Sequence, residues 1–293
     1  MKIAIIGGAG KMGRWFAGLL RKEGLEVVIS GRNEQKLLEA GRALGVEVAP
    51  GNAAAVRGAD WVLLSVPIAG FEEIAAEVGS NIRPGQVVLD ITSVKDMPVA
   101  AMHRHVRQGQ VLGAHPMFGP GAAGLSGQNV VLTPVNDEEA ALARKVNGWL
   151  TDRGARVAVM SPQEHDEVMA VALGLAHLVS LVAADTLLDC PRAGQVEEMG
   201  GITSRVLLTL MASVLAEDPE FYASLQMNLP GMADIGRLFQ EKAAAWTELV
   251  AGGDGQGFTR RMRGLRGRFE QLFPGLDKAY ERMYRIAGGG ETA

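Results

Sequence analysis

The hydrophobic positions of this chain change their period once, close to residue 160. Before that point short apolar runs alternate with amphipathic stretches. Lys2 to Gly7 is a β-branched run ending in glycines, and the segment that follows is amphipathic at helical spacing to about Lys22. Leu25 to Ser30 predicts a second strand, 33–44 a helix and Val46 to Val48 a short strand. The runs Trp61 to Pro67 and Gln86 to Ile91 are apolar on both faces, as central strands of a parallel sheet are. Further strands are predicted at Val111 to Ala114, Gln128 to Pro134 and Arg156 to Met160, with a helix over Glu138 to Thr151. Such alternation predicts a doubly wound α/β domain over residues 1–160.

From Ser161 no strand is predicted. Ser161-Pro162-Gln163-Glu164 is a capping box with proline at the first helical position, so a helix starts there and runs to about Leu188, apolar nearly all round in its middle. Helices follow over Ile202 to Ala216 and from Asp218-Pro219-Glu220. Phe258, Met262, Leu265 and Phe269 recur at helical spacing among Arg260, Arg261, Arg263, Arg266 and Arg268, which predicts an amphipathic helix with a solvated face. An all-α C-terminal domain over 161–293 is expected, with a fraying tail at Gly288-Gly289-Gly290.

Composition narrows the function classes. A net charge of −4 argues against nucleic acid or an anionic membrane as the main partner and favours a small molecule. The single Cys190 excludes an intrachain disulfide framework, which fits the cytoplasm. The first residues lack the pattern of a secretory signal, and the apolar stretch Val168 to Ala184 falls short of the roughly 20 residues that span a bilayer.

The chemistry concentrates in a few strings. Gly8-Ala9-Gly10-Lys11-Met12-Gly13 stands between a strand and a helix, the context in which a glycine fingerprint binds a dinucleotide. Gly8 and Gly10 would bring backbone amides to a pyrophosphate, and Gly13 would allow close helix packing. The second strand ends in Ser30-Gly31-Arg32-Asn33, where a site for NAD usually places a carboxylate against the ribose; Arg32 could instead pair with a 2′-phosphate, so NADP is expected over NAD. Alternatively, Arg32 merely precedes the next helix. Ser65 and Pro67, and Ser93 and Lys95, are expected at the carboxyl edge of the sheet, where such folds bind ligands; Ser93 could equally cap a helix. His103 and His105 make a poor metal pair and read as surface residues, and no metal site is expected. His115, between an apolar strand and the stiff Pro116-Met117-Phe118-Gly119-Pro120 turn, is either a structural histidine or an aimed base. The small-residue loop from Gly121 to Gly127 could approach a ligand. His165, with Asp166, suits a cap or a domain contact, and His177, twelve residues on, is either a core histidine bonded to backbone or part of a site.

Together these strings resemble the prephenate and arogenate dehydrogenases of tyrosine biosynthesis over nearly the whole chain. The likeness rests on the Gly8–Gly13 fingerprint with Arg14-Trp15-Phe16, on Asp90-Ile91-Thr92-Ser93-Val94-Lys95, and on Gly113-Ala114-His115-Pro116-Met117-Phe118-Gly119-Pro120. It also rests on Glu164-His165-Asp166 with His177, and on Asp218-Pro219 with Tyr222-Ala223. The strings look most like the dehydrogenase part of the bifunctional bacterial enzymes. The resemblance implies a Rossmann-type sheet followed by a helical domain that makes a homodimer. It implies His115 as the catalytic histidine that draws off the proton of the substrate's ring hydroxyl, and Ser93 as the hydroxyl that orients it. Lys95, His177 and Arg205 are implied substrate-binding residues. Some relatives carry a further arginine where this chain has Ser213, which leaves prephenate and arogenate both open. Another NADP-dependent hydroxyacid or imine oxidoreductase would be expected to use a lysine or aspartate of the helical domain, and no lysine lies between Lys145 and Lys242. A non-catalytic NADP-binding regulator would need no common pocket for His115, Ser93 and His177.

Overall fold

In the computed structural model, residues 1–287 are described; the expected fraying at Gly288-Gly289-Gly290 lies outside them. The contacts divide the chain into two compact units, Met1–Met169 with Ala223–Pro230, and Ala170–Tyr222 with the residues from Gly231 on.

The first unit alternates as the pattern predicts: β1 (Lys2–Ile6), α1 (Lys11–Lys22), β2 (Glu26–Ser30), α2 (Glu34–Leu44), β3 (Glu47–Val48), α3 (Asn52–Arg57), β4 (Trp61–Leu64), α4 (Phe71–Gly79), β5 (Val87–Asp90), α5 (Asp96–His105), β6 (Gln110–Pro116), β7 (Asn129–Thr133), α6 (Asp137–Thr151), β8 (Arg156–Val159) and α7 (Pro162–Met169). The hydrophobic pattern did not reveal α3 and α4, because six residues are too few to show a helical period and α4 begins after a left-handed glycine without a side-chain cap.

The strands form one sheet in the order β3-β2-β1-β4-β5-β6-β7-β8. All pairings are parallel except β6 with β7. Alternating side chains feed the two faces. Ala4, Ile6, Val62, Leu64 and Val88 pack with Phe71 and Val78 of α4 and Met102 of α5. Ile3, Ile5 and Ile29 pack with Ala17 and Leu20 of α1 and Leu37 of α2. Leu112, Val130 and Leu132 pack with Leu142 and Leu150 of α6. Asp90 ends β5 level with Gly113, so β6 carries His115 past its neighbour at the carboxyl edge.

The capping box forms as expected: the Glu164 amide donates to Ser161 Oγ at 3.2 Å and the Ser161 amide donates to the Glu164 carboxylate at 2.9 Å. The helix it opens is interrupted. α7 gives way to a π-helical turn at Ala170–Leu175, where the contacts also pass from the first unit to the second, and α8 (Ala176–Asp189) continues it. The whole run, Pro162–Asp189, is 28 residues long and apolar enough to cross a membrane by length and composition alone. The length argument from the sequence therefore does not hold, because the helix extends well beyond its most apolar stretch. It carries the buried polar residues His165 and Asp166, which sit in the sheet unit.

The second unit continues with α9 (Val196–Met199), α10 (Ile202–Leu215), α11 (Pro219–Asn228), α12 (Met232–Ala251), α13 (Gly255–Leu272) and α14 (Ala279–Ala287); α11 crosses between the units. α10 packs on α8 and α14, and α12 on α13. The helix predicted there forms as α13, with Phe258 against Trp246 at 4.9 Å between centroids, but Phe258, Met262, Leu265 and Phe269 are all exposed.

The first βα turn is closely packed. A Cβ on Gly13 would stand 2.4 Å from the Gly7 carbonyl oxygen, whereas one on Gly10 would meet that atom only at 3.2 Å. Gly13→Ala is expected to cost about 1–3 kcal/mol in urea unfolding, and Gly10→Ala less than about 1 kcal/mol; equal losses would mean that the Gly7 carbonyl gives way freely.

Candidate active site

The dinucleotide end is built on the β1–α1 turn. Gly7 adopts φ +84°, and a Cβ there would lie 2.1 Å from the Ser65 carbonyl oxygen. The turns after β1 and β4 thus touch backbone to backbone, which only glycine permits. Gly8 lies over Ile29, where a Cβ would come within 2.5 Å. The amides of Gly7 and Gly8 both donate to the Ser30 carbonyl, at 2.9 and 3.0 Å, and that of Gly10 donates to Gly7. Gly8 and Gly10 therefore spend their own amides on the turn, which corrects the expectation that they present them to a pyrophosphate. The first turn of α1 has no side-chain cap and no acidic residue, and the amides of Met12 and Gly13 have no acceptor inside the helix. That end of the helix, with Lys11 and Met12 in its first turn, fits a dinucleotide phosphate.

Ser30 needs a second correction. It is fully buried and its hydroxyl donates to Asn52 Oδ1 at 2.8 Å, so it supports the turn from behind and has no hydroxyl to offer a cofactor. Arg32 is exposed and its guanidinium has no partner among the described residues, just before Asn33, which caps α2 by accepting from the Lys36 amide at 2.9 Å. Ser65 is half-buried and Pro67 exposed, both following β4 at the same edge.

His115 lies at that edge, 4% exposed. Its Nδ1 is 2.9 Å from His165 Nε2, and His165 Nδ1 is 2.7 Å from Asp166 Oδ1. Asp166 also accepts the amides of Lys95, at 2.7 Å, and Asp96, at 3.0 Å, and so caps α5 from a helix 70 residues further along the chain. Beneath this row the Lys95 ammonium pairs with Asp90 and donates to the Ala114 carbonyl at 2.8 Å, while Asp90 accepts the Thr92 amide at 2.8 Å. Burial pushes the Lys95 ammonium down from its usual range, and the Asp90 charge opposes this. Burial, the Lys95 charge and His165 hold His115 well below the ordinary histidine range, so its ring is neutral at neutral pH. The other ring nitrogen of His115, Nε2, makes no hydrogen bond to the described residues and is not among the atoms sealed from solvent.

Lys95 is the third correction. The sequence placed it with the substrate, but its side chain is wholly buried and both its contacts are internal, so it acts as a tether between β5 and β6. Ser93 is half-buried; it neither hydrogen-bonds His115 nor caps α5, whose N-cap position is Lys95. The residues that do hold His115 and α5, His165 and Asp166, were read from the sequence only as a cap or domain contact. His103 and His105 bind different carboxylates, Glu139 and Glu72, each at 2.8 Å.

In the helical unit the ring of His177 stands edge-on to Tyr222 at 4.6 Å between centroids. Its Nδ1 is buried without a partner, so the backbone-bonded core histidine is not what forms; burial lowers its basicity. An orphaned buried nitrogen costs about 1–3 kcal/mol and marks a place where a ligand or water would be satisfied. Arg205 is exposed on α10 with no partner for its guanidinium among the described residues, and Ser213 Oγ donates to the Leu210 carbonyl of its own helix at 2.8 Å.

A parallel sheet with an uncapped glycine turn at its carboxyl edge, and a neutral buried histidine on the same edge, defines a nucleotide-binding oxidoreductase unit. Residues 16–159 match the family model "Prephenate dehydrogenase, nucleotide-binding domain", and residues 161–264 match "Prephenate dehydrogenase, dimerization domain". The chain belongs to the prephenate dehydrogenase family. It is 32% identical over 268 residues to a probable arogenate/prephenate dehydrogenase of Methanocaldococcus jannaschii, covering 90% of this chain and 60% of that protein. It is 29% identical over 298 residues to 4-amino-4-deoxyprephenate dehydrogenase of Streptomyces pristinaespiralis, covering 97% of this chain and 96% of that one. Its fold is similar to that of the A. aeolicus prephenate dehydrogenase crystallised with hydroxyphenyl propionate and NAD+, with a TM-score of 0.77 at 22% identity over 93% of this chain and 98% of that one.

Lys95→Met is expected to cost about 3–5 kcal/mol in urea unfolding, because it leaves the Asp90 carboxylate buried and unpaired; the double change with Asp90→Asn should recover part of this. A single variant as stable as the parent would mean that the pair does not hold the strands together.

Proposed function

We propose that the protein catalyses the NADP-dependent oxidative decarboxylation of prephenate to 4-hydroxyphenylpyruvate. The observation that carries this is His115: a buried, neutral ring at the sheet edge, held at Nδ1 and unbonded at Nε2. A bound nicotinamide ring supplies the hydride acceptor. His115 Nε2 accepts the proton of the substrate's ring hydroxyl as hydride leaves the same carbon; loss of the ring carboxylate as CO2 then makes the ring aromatic. The protein need only align and polarise. Ser93, at the same edge, is assigned to the substrate hydroxyl; for His177 and Arg205 a substrate-binding role rests on the family resemblance alone. Met12, Gly13 and their neighbours in the first turn of α1 are assigned to the pyrophosphate, and Arg32 to the 2′-phosphate. Homodimerisation through the helical unit is supported by the match to a dimerization domain and by exposed Leu207, Leu210 and Leu215 on α10. A free, exposed Cys190 fits the reducing cytoplasm.

One observation favours a second reading. The chain is 29% identical to 4-amino-4-deoxyprephenate dehydrogenase over 97% of its residues, so the 4-amino analogue of prephenate is a second candidate substrate. The deciding experiment is cofactor reduction with prephenate, arogenate and 4-amino-4-deoxyprephenate, each with NADP and NAD. Prephenate with NADP should give the largest kcat/KM, and a larger value for another pair would reassign the substrate or cofactor.

His115→Asn is expected to lower kcat by roughly 10²- to 10⁴-fold with little change in cofactor affinity. Because the base is the neutral ring and its charged form is disfavoured in the free protein, kcat/KM should hold steady as pH falls through the ordinary histidine range and decline only below it. A decline centred on the ordinary histidine value would point to another base. Arg32→Ala should raise KM for NADP much more than for NAD; equal effects would remove Arg32 from recognition of the 2′-phosphate.

A further inference from the structure

Hydrogen-bond direction along the row Asp166, His165, His115 is set at one end. Asp166 already receives two backbone amides, from Lys95 and Asp96, and a carboxylate so placed accepts. His165 Nδ1, 2.7 Å away, must then carry the proton. A neutral imidazole protonated at Nδ1 has its lone pair at Nε2. That lone pair faces His115 Nδ1 at 2.9 Å, so His115 donates there and its own lone pair lies at Nε2. His165 is fully buried, so solvent cannot take over either contact.

We propose that His165, fixed by Asp166, is the positioning residue that selects the tautomer of His115. It holds the ring as the Nδ1–H form and leaves Nε2 as the bare acceptor. For catalysis, this rests on the reading of His115 as the base. An isolated neutral histidine exchanges between its two tautomers, and one with its proton on Nε2 cannot accept there. After Nε2 takes up a proton, the ring still needs a donor bond at Nδ1, which the same row already provides. The row therefore serves both protonation states without rearrangement. The titratable and charged groups around the ring are Lys95, before α5, and the neutral His165 with the Asp166 carboxylate, on α7; the Lys95 charge, tied to Asp90, disfavours the doubly protonated ring in the resting protein.

The test uses the full chain with isotope-labelled histidine nitrogens and long-range proton–nitrogen NMR. The sequence holds five histidines, and the His115 signal is assigned by its loss in His115→Asn. The parent should show His115 protonated at Nδ1 and bare at Nε2; a proton on Nε2 would overturn the proposal. His165→Phe should populate the Nε2–H form and lower kcat by about 10²-fold or more with KM for NADP little changed. His165→Gln, whose amide oxygen can still accept from Nδ1, should keep the parent tautomer and restore turnover to within about tenfold of the parent. If His165→Phe retains the Nδ1–H form, or His165→Gln loses it, His165 does not select the tautomer. If the tautomer switches while turnover does not change, His165 selects it but the reading of His115 as base fails.

Discussion

The carboxylate of Asp166 is the contact on which the sheet-edge site depends. α5 begins without a side-chain cap of its own, and its first two amides are satisfied by this one group. A carboxylate at a helix N-terminus also meets the positive end of the helix dipole, which contributes up to about 2 kcal/mol in partly buried geometries. The same oxygen that accepts the Lys95 amide accepts the His165 ring. One residue thus closes the start of a helix and aims a histidine. A change that disturbs either duty disturbs both.

Beneath Asp166 lies a second buried charge pair whose logic is electrostatic. Lys95 and Asp90 are both sealed from solvent, and burying either alone would be costly. Paired, they tie the end of β5 to the carbonyl that precedes His115. The ammonium also sits close enough to oppose a positive charge on His115. A residue that resembled a substrate ligand in sequence instead ties the two strands together and, with burial, disfavours a charge on His115.

At the dinucleotide end, the glycines are needed mainly for packing. Gly7 allows two turns to touch, Gly8 lets the turn lie on β2, and Gly13 brings α1 against the turn. What remains for an anion is an uncapped first helical turn with no carboxylate in it. Ser30 contributes its carbonyl to this arrangement and its hydroxyl to Asn52.

The strands of the sheet, the capping box at Ser161 and the shift to helices were legible in the sequence, because local periodicity and turn chemistry determine them. So was His115, through a stiff turn that follows an apolar strand. The partners of His115 were not legible. His165 is 50 residues and Asp166 some 71 residues from the groups they hold, and no spacing rule reaches that far. Lys95 was misread because charge in a sequence does not report burial, and Ser30 because its hydroxyl has a distant partner. The π turn at Ala170–Leu175 likewise interrupts a pattern that reads as one helix. By itself the sequence determined which elements form and which of them present His115 and the glycine turn. Only the tertiary structure decided which residues meet, because hydrogen-bond direction and burial are properties of groups brought together from distant parts of the chain.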